Sequence, residues 1–193
     1  MADARSDHPD TLSPPTRRGL LRLTFGGTLA AALGAAAAGP VAAAVQNGWF
    51  FCPKCQGLFF AANGSGECPA GAGHTKPGGK GYLLFADYTP PSNYSAFQFG
   101  WRYCRKCLGL HYVGDGNPAG PCPVGGKQAA SSSGDYMLYV GRTAVPDYQG
   151  GWHFCSKCRG LWFAGNRGKG ECPAGRGHKK AAGSKGYSLY ETQ

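Results

Sequence analysis

The chain is short of acid, of methionine and of charge in general. Of 193 residues, 10 are Asp or Glu, 2 are Met, and 16% are charged. Long solvated helices need charged and straight-chain residues, so this scarcity argues against a helical fold. The sequence carries no Ser/His/Asp arrangement, no Gly-rich phosphate loop behind a strand and no H-E-x-x-H. That removes the common hydrolase and nucleotide-binding signatures. What the chain has instead is 33 Gly, 14 Pro, 9 Cys and 12% aromatic residues. The glycines keep no three-residue period, which excludes collagen, and the aromatics are too many for simple disorder. A small, loop-rich, all-β fold held by its cysteines remains.

The first 44 residues read as an address. Residues 1–22 are polar, and residues 23–39 form a mildly apolar Ala/Gly-rich run that is short for a bilayer span. Ala42-Ala43-Ala44 then offers small residues of the kind found at cleavage sites. The stretch Thr16-Arg17-Arg18-Gly19-Leu20-Leu21-Arg22 resembles the twin-arginine export motif, with Leu20 in place of Phe and Arg22 in place of Lys. The resemblance implies the twin-arginine export machinery as a partner and a protein that folds before export. Cleavage is expected after Ala44, leaving a secreted chain of 45–193 with no membrane span.

The rest repeats three times. Trp49, Trp101 and Trp152 open the copies, which span 45–99, 100–150 and 151–193. Such a period marks one supersecondary unit per copy. Each copy reads as three short strands. The first are Trp49–Phe51, Trp101–Tyr103 and Trp152–Phe154, with Phe50, Arg102 and His153 facing solvent. The second are Leu58–Ala61, Leu110–Val113 and Leu161–Ala164. The third are Tyr82–Phe85, Tyr136–Tyr139 and Tyr187–Tyr190. The near-equal spacing favours three units packed as one pseudo-threefold domain, such as a closed three-lobed β-fold of lectin type, over beads in a row.

Each copy holds three cysteines. Copy one reads Cys52-x2-Cys55-x12-Cys68-x5-His74, and copy three Cys155-x2-Cys158-x13-Cys172-x5-His178. Copy two reads Cys104-x2-Cys107-x14-Cys122 and has Gln128 at the histidine position. Disulfides are the usual choice outside the cell, yet three thiols cannot pair off within a unit and nine leave one over. Three thiolates and an imidazole do close a tetrahedral Zn2+ shell. The spacing resembles a zinc ribbon, in which strands are clipped by two ligand pairs; a redox C-x-x-C pair is the other reading. Gly57, Gly109 and Gly160 follow the C-x2-C, where a residue at positive φ would turn N–H groups toward sulfur. A unit of about fifty residues buries too little apolar surface to be stable alone, and a structural zinc contributes on the order of 10 kcal/mol.

Copy two leaves its fourth ligand open. His111 is a candidate, aligned with Phe59 and Trp162. Water would complete the shell in the manner of catalytic zinc, with Asp115 and Asp135 the only acids in the unit.

The basic residues gather in copy three: Arg159, Arg167, Lys169, Arg176, Lys179, Lys180 and Lys185. Such a patch attracts polyanions; aromatics such as Phe50, Phe59 and Trp162 would stack on sugar rings if exposed, but most are expected in the core, since three tiny units have little else to bury. Export speaks against nucleic acid as the partner. The units also resemble Cys-rich repeats of uncharacterised secreted bacterial proteins, a likeness that carries no activity. The expectation is a secreted, non-enzymatic, zinc-stabilised module that binds an anionic or glycan surface. A zinc hydrolase using copy two, and a metal-storage or redox protein, are the alternatives.

Overall fold

The computed structural model describes residues 44–88, 95–141 and 146–192. The expected export signal therefore lies outside the described residues, except for Ala44. Among the described residues there are nine strands, and the fold is all-β. In chain order they are β1 (Ala44–Phe51), β2 (Leu58–Phe60), β3 (Tyr82–Ala86), β4 (Phe97–Tyr103), β5 (Leu110–Tyr112), β6 (Tyr136–Val140), β7 (Tyr148–Phe154), β8 (Leu161–Phe163) and β9 (Tyr187–Glu191). A 3-10 turn covers Ala61–Asn63. No helix among these residues is long and apolar enough to cross a membrane.

Each repeat is an antiparallel hairpin, β1β2, β4β5 or β7β8, whose first strand also pairs with the repeat's third strand. The third strands then pair with one another, β3 with β6, β6 with β9 and β9 with β3. This closes a pseudo-threefold ring. Closure removes the exposed edges that three separate short sheets would carry.

The first strands begin four or five residues earlier than the aromatic pattern suggests, because a bulge interrupts each pairing between Gln46 and Trp49, Gln98 and Trp101, or Gln149 and Trp152. Gly48, Gly100 and Gly151 sit in these bulges with φ of 95°, 87° and 93°, a conformation costly for other residues. The bulge turns the glutamine side chain inward. Trp49 Nε1 donates to Gln46 Oε1 at 3.0 Å, and Trp152 Nε1 to Gln149 Oε1 at 3.2 Å.

The core is built on the same cycle. Trp49, Trp101 and Trp152 are fully buried, as are Leu84, Leu138 and Leu189 on the ring strands. Each indole meets a tyrosine of another repeat edge-on: Trp49 with Tyr136, Trp101 with Tyr187, Trp152 with Tyr82, at 5.1–5.2 Å. Each of those hydroxyls donates to a half-buried glutamine, Tyr136 to Gln46 and Tyr82 to Gln149 at 2.6 Å, and Tyr187 to Gln98. The buried O–H groups are thereby satisfied across repeat boundaries.

Candidate metal centres

The turn between the first and second strands of each repeat carries the C-x2-C pair, and the Gly-rich loop that follows returns the third cysteine and the x5 residue to it. Cys52, Cys55, Cys68 and His74 converge, as do Cys155, Cys158, Cys172 and His178. Cys104, Cys107 and Cys122 form the third group. Within each group all ligand atoms lie within 4.8 Å of one another. All nine cysteines are buried and none is cross-linked. Sulfurs 3.9–4.0 Å apart, as for Cys52 with Cys68, Cys104 with Cys122 and Cys155 with Cys172, are far beyond the ~2.05 Å of a disulfide. The imidazole Nδ1 of His74 lies 3.4 Å from Cys55 Sγ, and that of His178 lies 3.5 Å from Cys158 Sγ.

Backbone donors surround the sulfurs. Thr75 N, Ala129 N and Lys179 N reach Cys52, Cys104 and Cys155 at 3.3–3.5 Å, and Gly57 N reaches Cys55 at 3.4 Å. Hydrogen bonds from Cys55 and Cys68 hold the Cys52 thiol well below its usual range. Cys158 and Cys172 do the same to Cys155, and Cys107 brings Cys104 down to about 4. Cys55, Cys107 and Cys158 go the other way, raised chiefly by the adjacent first thiol. Burial pulls His74 and His178 down, but bonding to their cysteines lifts both to about 9. Three sulfurs this close cannot all carry charge without a cation among them. The donor sets therefore suit a metal ion.

The positive φ expected at Gly57, Gly109 and Gly160 falls one residue earlier. Gln56, Leu108 and Arg159 adopt φ of 61–66°. Their carbonyls face another repeat, accepting Phe163 N, Phe60 N and Tyr112 N at 2.8–2.9 Å. A glycine would lack the side chain that packs this seam, where Leu108 and Gln56 are buried.

His178 Nε2 lies 3.1 Å from the carbonyl oxygen of Cys55, so the imidazole spans from its own cysteines to the next repeat. Such a bond fixes the tautomer that presents Nδ1 to a metal. The sequence reading missed the lysine inside each C-x-K-C. Lys54 Nζ and Lys106 Nζ each donate to a turn carbonyl at 2.7 Å, Gly71 and Gly125, and Lys157 Nζ to those of Gly175 and, at 2.8 Å, Arg176. These bonds tie one half-site to the other, and the threefold recurrence of the lysine was the available signal.

Three further expectations meet the structure here. Phe59 and Trp162 are not exposed; they are buried and stack on His74 and His178 with centroids 4.7 and 5.2 Å apart. The second face of a two-faced strand meets the cysteine cluster rather than water. His111 is fully buried, and burial lowers it to about 4, so its ring is neutral. Phe50, Arg102 and His153 are half-buried rather than open to solvent, with Lys76 Nζ 5.0 Å from the Phe50 ring centroid.

Between repeats lie two related clefts. One, of about 350 Å³, places the half-buried rings of Phe60 and Tyr103 beside Asn63, Asp87, Ser132 and Ser133. The other, of about 500 Å³, places Tyr112 and Phe154 beside Asp115, Ser184 and Lys185. In the second, the Arg159 guanidinium lies over both rings and pairs with Asp115. Asp135 pairs with Arg102. Comparison of the chain with protein-family models, with curated proteins and with solved structures finds no match.

Proposed function

We propose that the chain is a secreted, non-enzymatic binding module whose three lobes are held by zinc and whose inter-repeat clefts take a glycan. Zinc suits the donor spacing. Bonds of ~2.3 Å to sulfur and ~2.0 Å to nitrogen imply tetrahedral edges of about 3.8 Å between sulfurs and about 3.5 Å from sulfur to nitrogen. The separations of 3.9–4.0 Å and 3.4–3.5 Å lie close to both. With every thiol buried and the aspartates of repeat two engaged by arginines, a structural role for the metal fits better than hydrolysis. Secretion rests on the twin-arginine-like stretch in residues 1–44.

The observation that carries the binding reading is the repeated cleft. A half-buried aromatic ring beside amide, carboxylate and hydroxyl groups offers a face for the C–H surface of a sugar and acceptors for its hydroxyls. The exposed bases of repeat three, Arg167, Lys169, Arg176, Lys179, Lys180 and Lys185, favour an acidic polysaccharide over a neutral one. The test is retention of the zinc-loaded chain on immobilised acidic and neutral polysaccharides. Retention should be stronger on the acidic resin, fall with salt, and weaken in Tyr103→Ala. A chain that passes through every resin at low salt would sink the reading.

A further inference from the structure

Repeat two keeps three thiols where the other repeats have three thiols and an imidazole. At the imidazole position stands Gln128, 9% exposed. Its amide is placed as the imidazoles are. Oε1 lies 3.8 Å from Cys107 Sγ, against 3.4 and 3.5 Å for the histidine Nδ1 atoms. Nε2 reaches across the seam to the carbonyl oxygen of Cys158 at 3.5 Å, as His178 Nε2 does to that of Cys55 at 3.1 Å. An amide and a neutral imidazole share this polarity, an acceptor at one end and an N–H donor at the other. The cross-repeat bond uses the donor end, which leaves the acceptor facing the sulfurs.

His111 is the competing candidate. It is fully buried with neither ring nitrogen hydrogen-bonded. Its position, however, is that of Phe59 and Trp162, the rings that stack on the ligand histidines. The donor atoms that gather in this repeat are the three sulfurs, without His111.

We infer that Cys104, Cys107 and Cys122, with Gln128 Oε1 as the fourth donor, form a third site for a thiophilic divalent cation, and that this site is the exchangeable one of the three. The inference rests on the zinc reading above and adds an inequality among the sites. An amide oxygen is a harder and weaker partner than imidazole for a metal already held by thiolates. Cys107 and Gln128 line a depression on the pseudo-threefold axis that Cys55, His74, Cys158 and His178 line as well. All three sites share this opening, so the weaker amide donor is what singles out repeat two for release, while the two histidine sites keep the fold.

The experiment counts zinc on the full chain by native mass spectrometry and follows its release to a chelator, with tryptophan fluorescence reporting the fold. Three ions should bind, one leaving at least about tenfold faster than the others with the fluorescence unchanged. Gln128→His should slow that ion to the rate of the other two, and His111→Phe, which installs the residue of repeat one, should keep all three. Two ions would overturn the third site and leave the zinc reading standing; none would remove both. Three ions released at one rate would overturn the exchangeability. Loss of the third ion in His111→Phe would overturn the assignment of Gln128.

Discussion

Gly120 is the sharpest test of the closed ring, because a methyl group there would press directly on the seam between repeats two and three. A Cβ at this position would lie 2.5 Å from the carbonyl carbon of Cys158, closer still to its oxygen, and 3.0 Å from its Cα. An ordinary carbon–carbonyl contact needs about 3.3 Å, so the seam between repeats two and three must open by roughly 1 Å. Two hydrogen bonds cross it nearby, Tyr112 N to the Arg159 carbonyl at 2.9 Å and Arg159 Nε to the Tyr112 carbonyl at 3.0 Å. Losing about 1 kcal/mol for the first and about 1.5–3 kcal/mol for the charged second, with overpacking of about 1 kcal/mol or more, puts Gly120→Ala at about 3–5 kcal/mol. Two controls separate this from glycine chemistry in general. Gly183 has φ of 71° with no atom within 4 Å of a Cβ, so its alanine variant should lose only about 1–2 kcal/mol. Gly78 has neither constraint, and its variant should stay within about 0.5 kcal/mol of the parent. Urea unfolding with zinc in the buffer, read by tryptophan fluorescence, gives all three midpoints. Three beads in a row would not feel the methyl group. A Gly120→Ala midpoint no lower than that of Gly183→Ala would refute the packing argument.

Two further predictions use the buried tyrosines and the glutamines that accept from them. Gln46→Ala should cost about 2–4 kcal/mol, because Trp49 Nε1 and the Tyr136 hydroxyl both lose their acceptor inside the core; a thermal scan showing less than about 1 kcal/mol would contradict it. Burial raises Tyr136 and Tyr187 to about 12, and raises Tyr82 further, above the ~10 of an unfolded tyrosine. The folded state thus holds its phenolic protons longer, so stability should be full below pH ~10 and fall as pH rises toward 12. Urea midpoints unchanged between pH 9 and 11.5 would count against the burial of these hydroxyls.

The metal sets were legible because their information is local and given three times. Cys52-x2-Cys55 is a turn, and Cys68-x5-His74 is a second turn that only has to return. Strand faces were legible where alternation holds, as for Leu58 and Phe60. What failed was reading a strand as having one dry face and one wet face. Phe59 and Trp162 lie on the second face, and that face meets a buried cysteine cluster, so both sides are dry. The inter-repeat pairings of β3, β6 and β9 were not legible, since no short segment records which distant strand it will meet. Nor was the role of Gln46, which looks like a solvated residue until the bulge at Gly48 turns it inward. The seam had the same character. Gly66, Gly120 and Gly170 precede the third cysteine by two residues, where a Cβ would meet the Cys107, Cys158 and Cys55 carbonyls of other repeats, and Gly66 and Gly170 also hold φ of 55°.

That seam joins the two halves of the stability argument. The carbonyl pressed by each of these glycines belongs to the second cysteine of a C-x2-C, and the residue after that cysteine accepts the hydrogen bond that docks another repeat's second strand. One peptide turn therefore shapes a metal-binding half-site and one side of an inter-repeat contact. Repeats this small cannot supply a sufficient core singly. Nor can the ring close around knuckles that are free to rearrange, because Gln56, Leu108 and Arg159 hold a left-handed conformation that costs about 1–2 kcal/mol each. A cation at the two histidine sites would offset that cost, and the ring in turn buries the sulfurs that would hold it. Order within a repeat and closure between repeats would then be one cooperative event, with the metal of the two histidine sites acting at the joint.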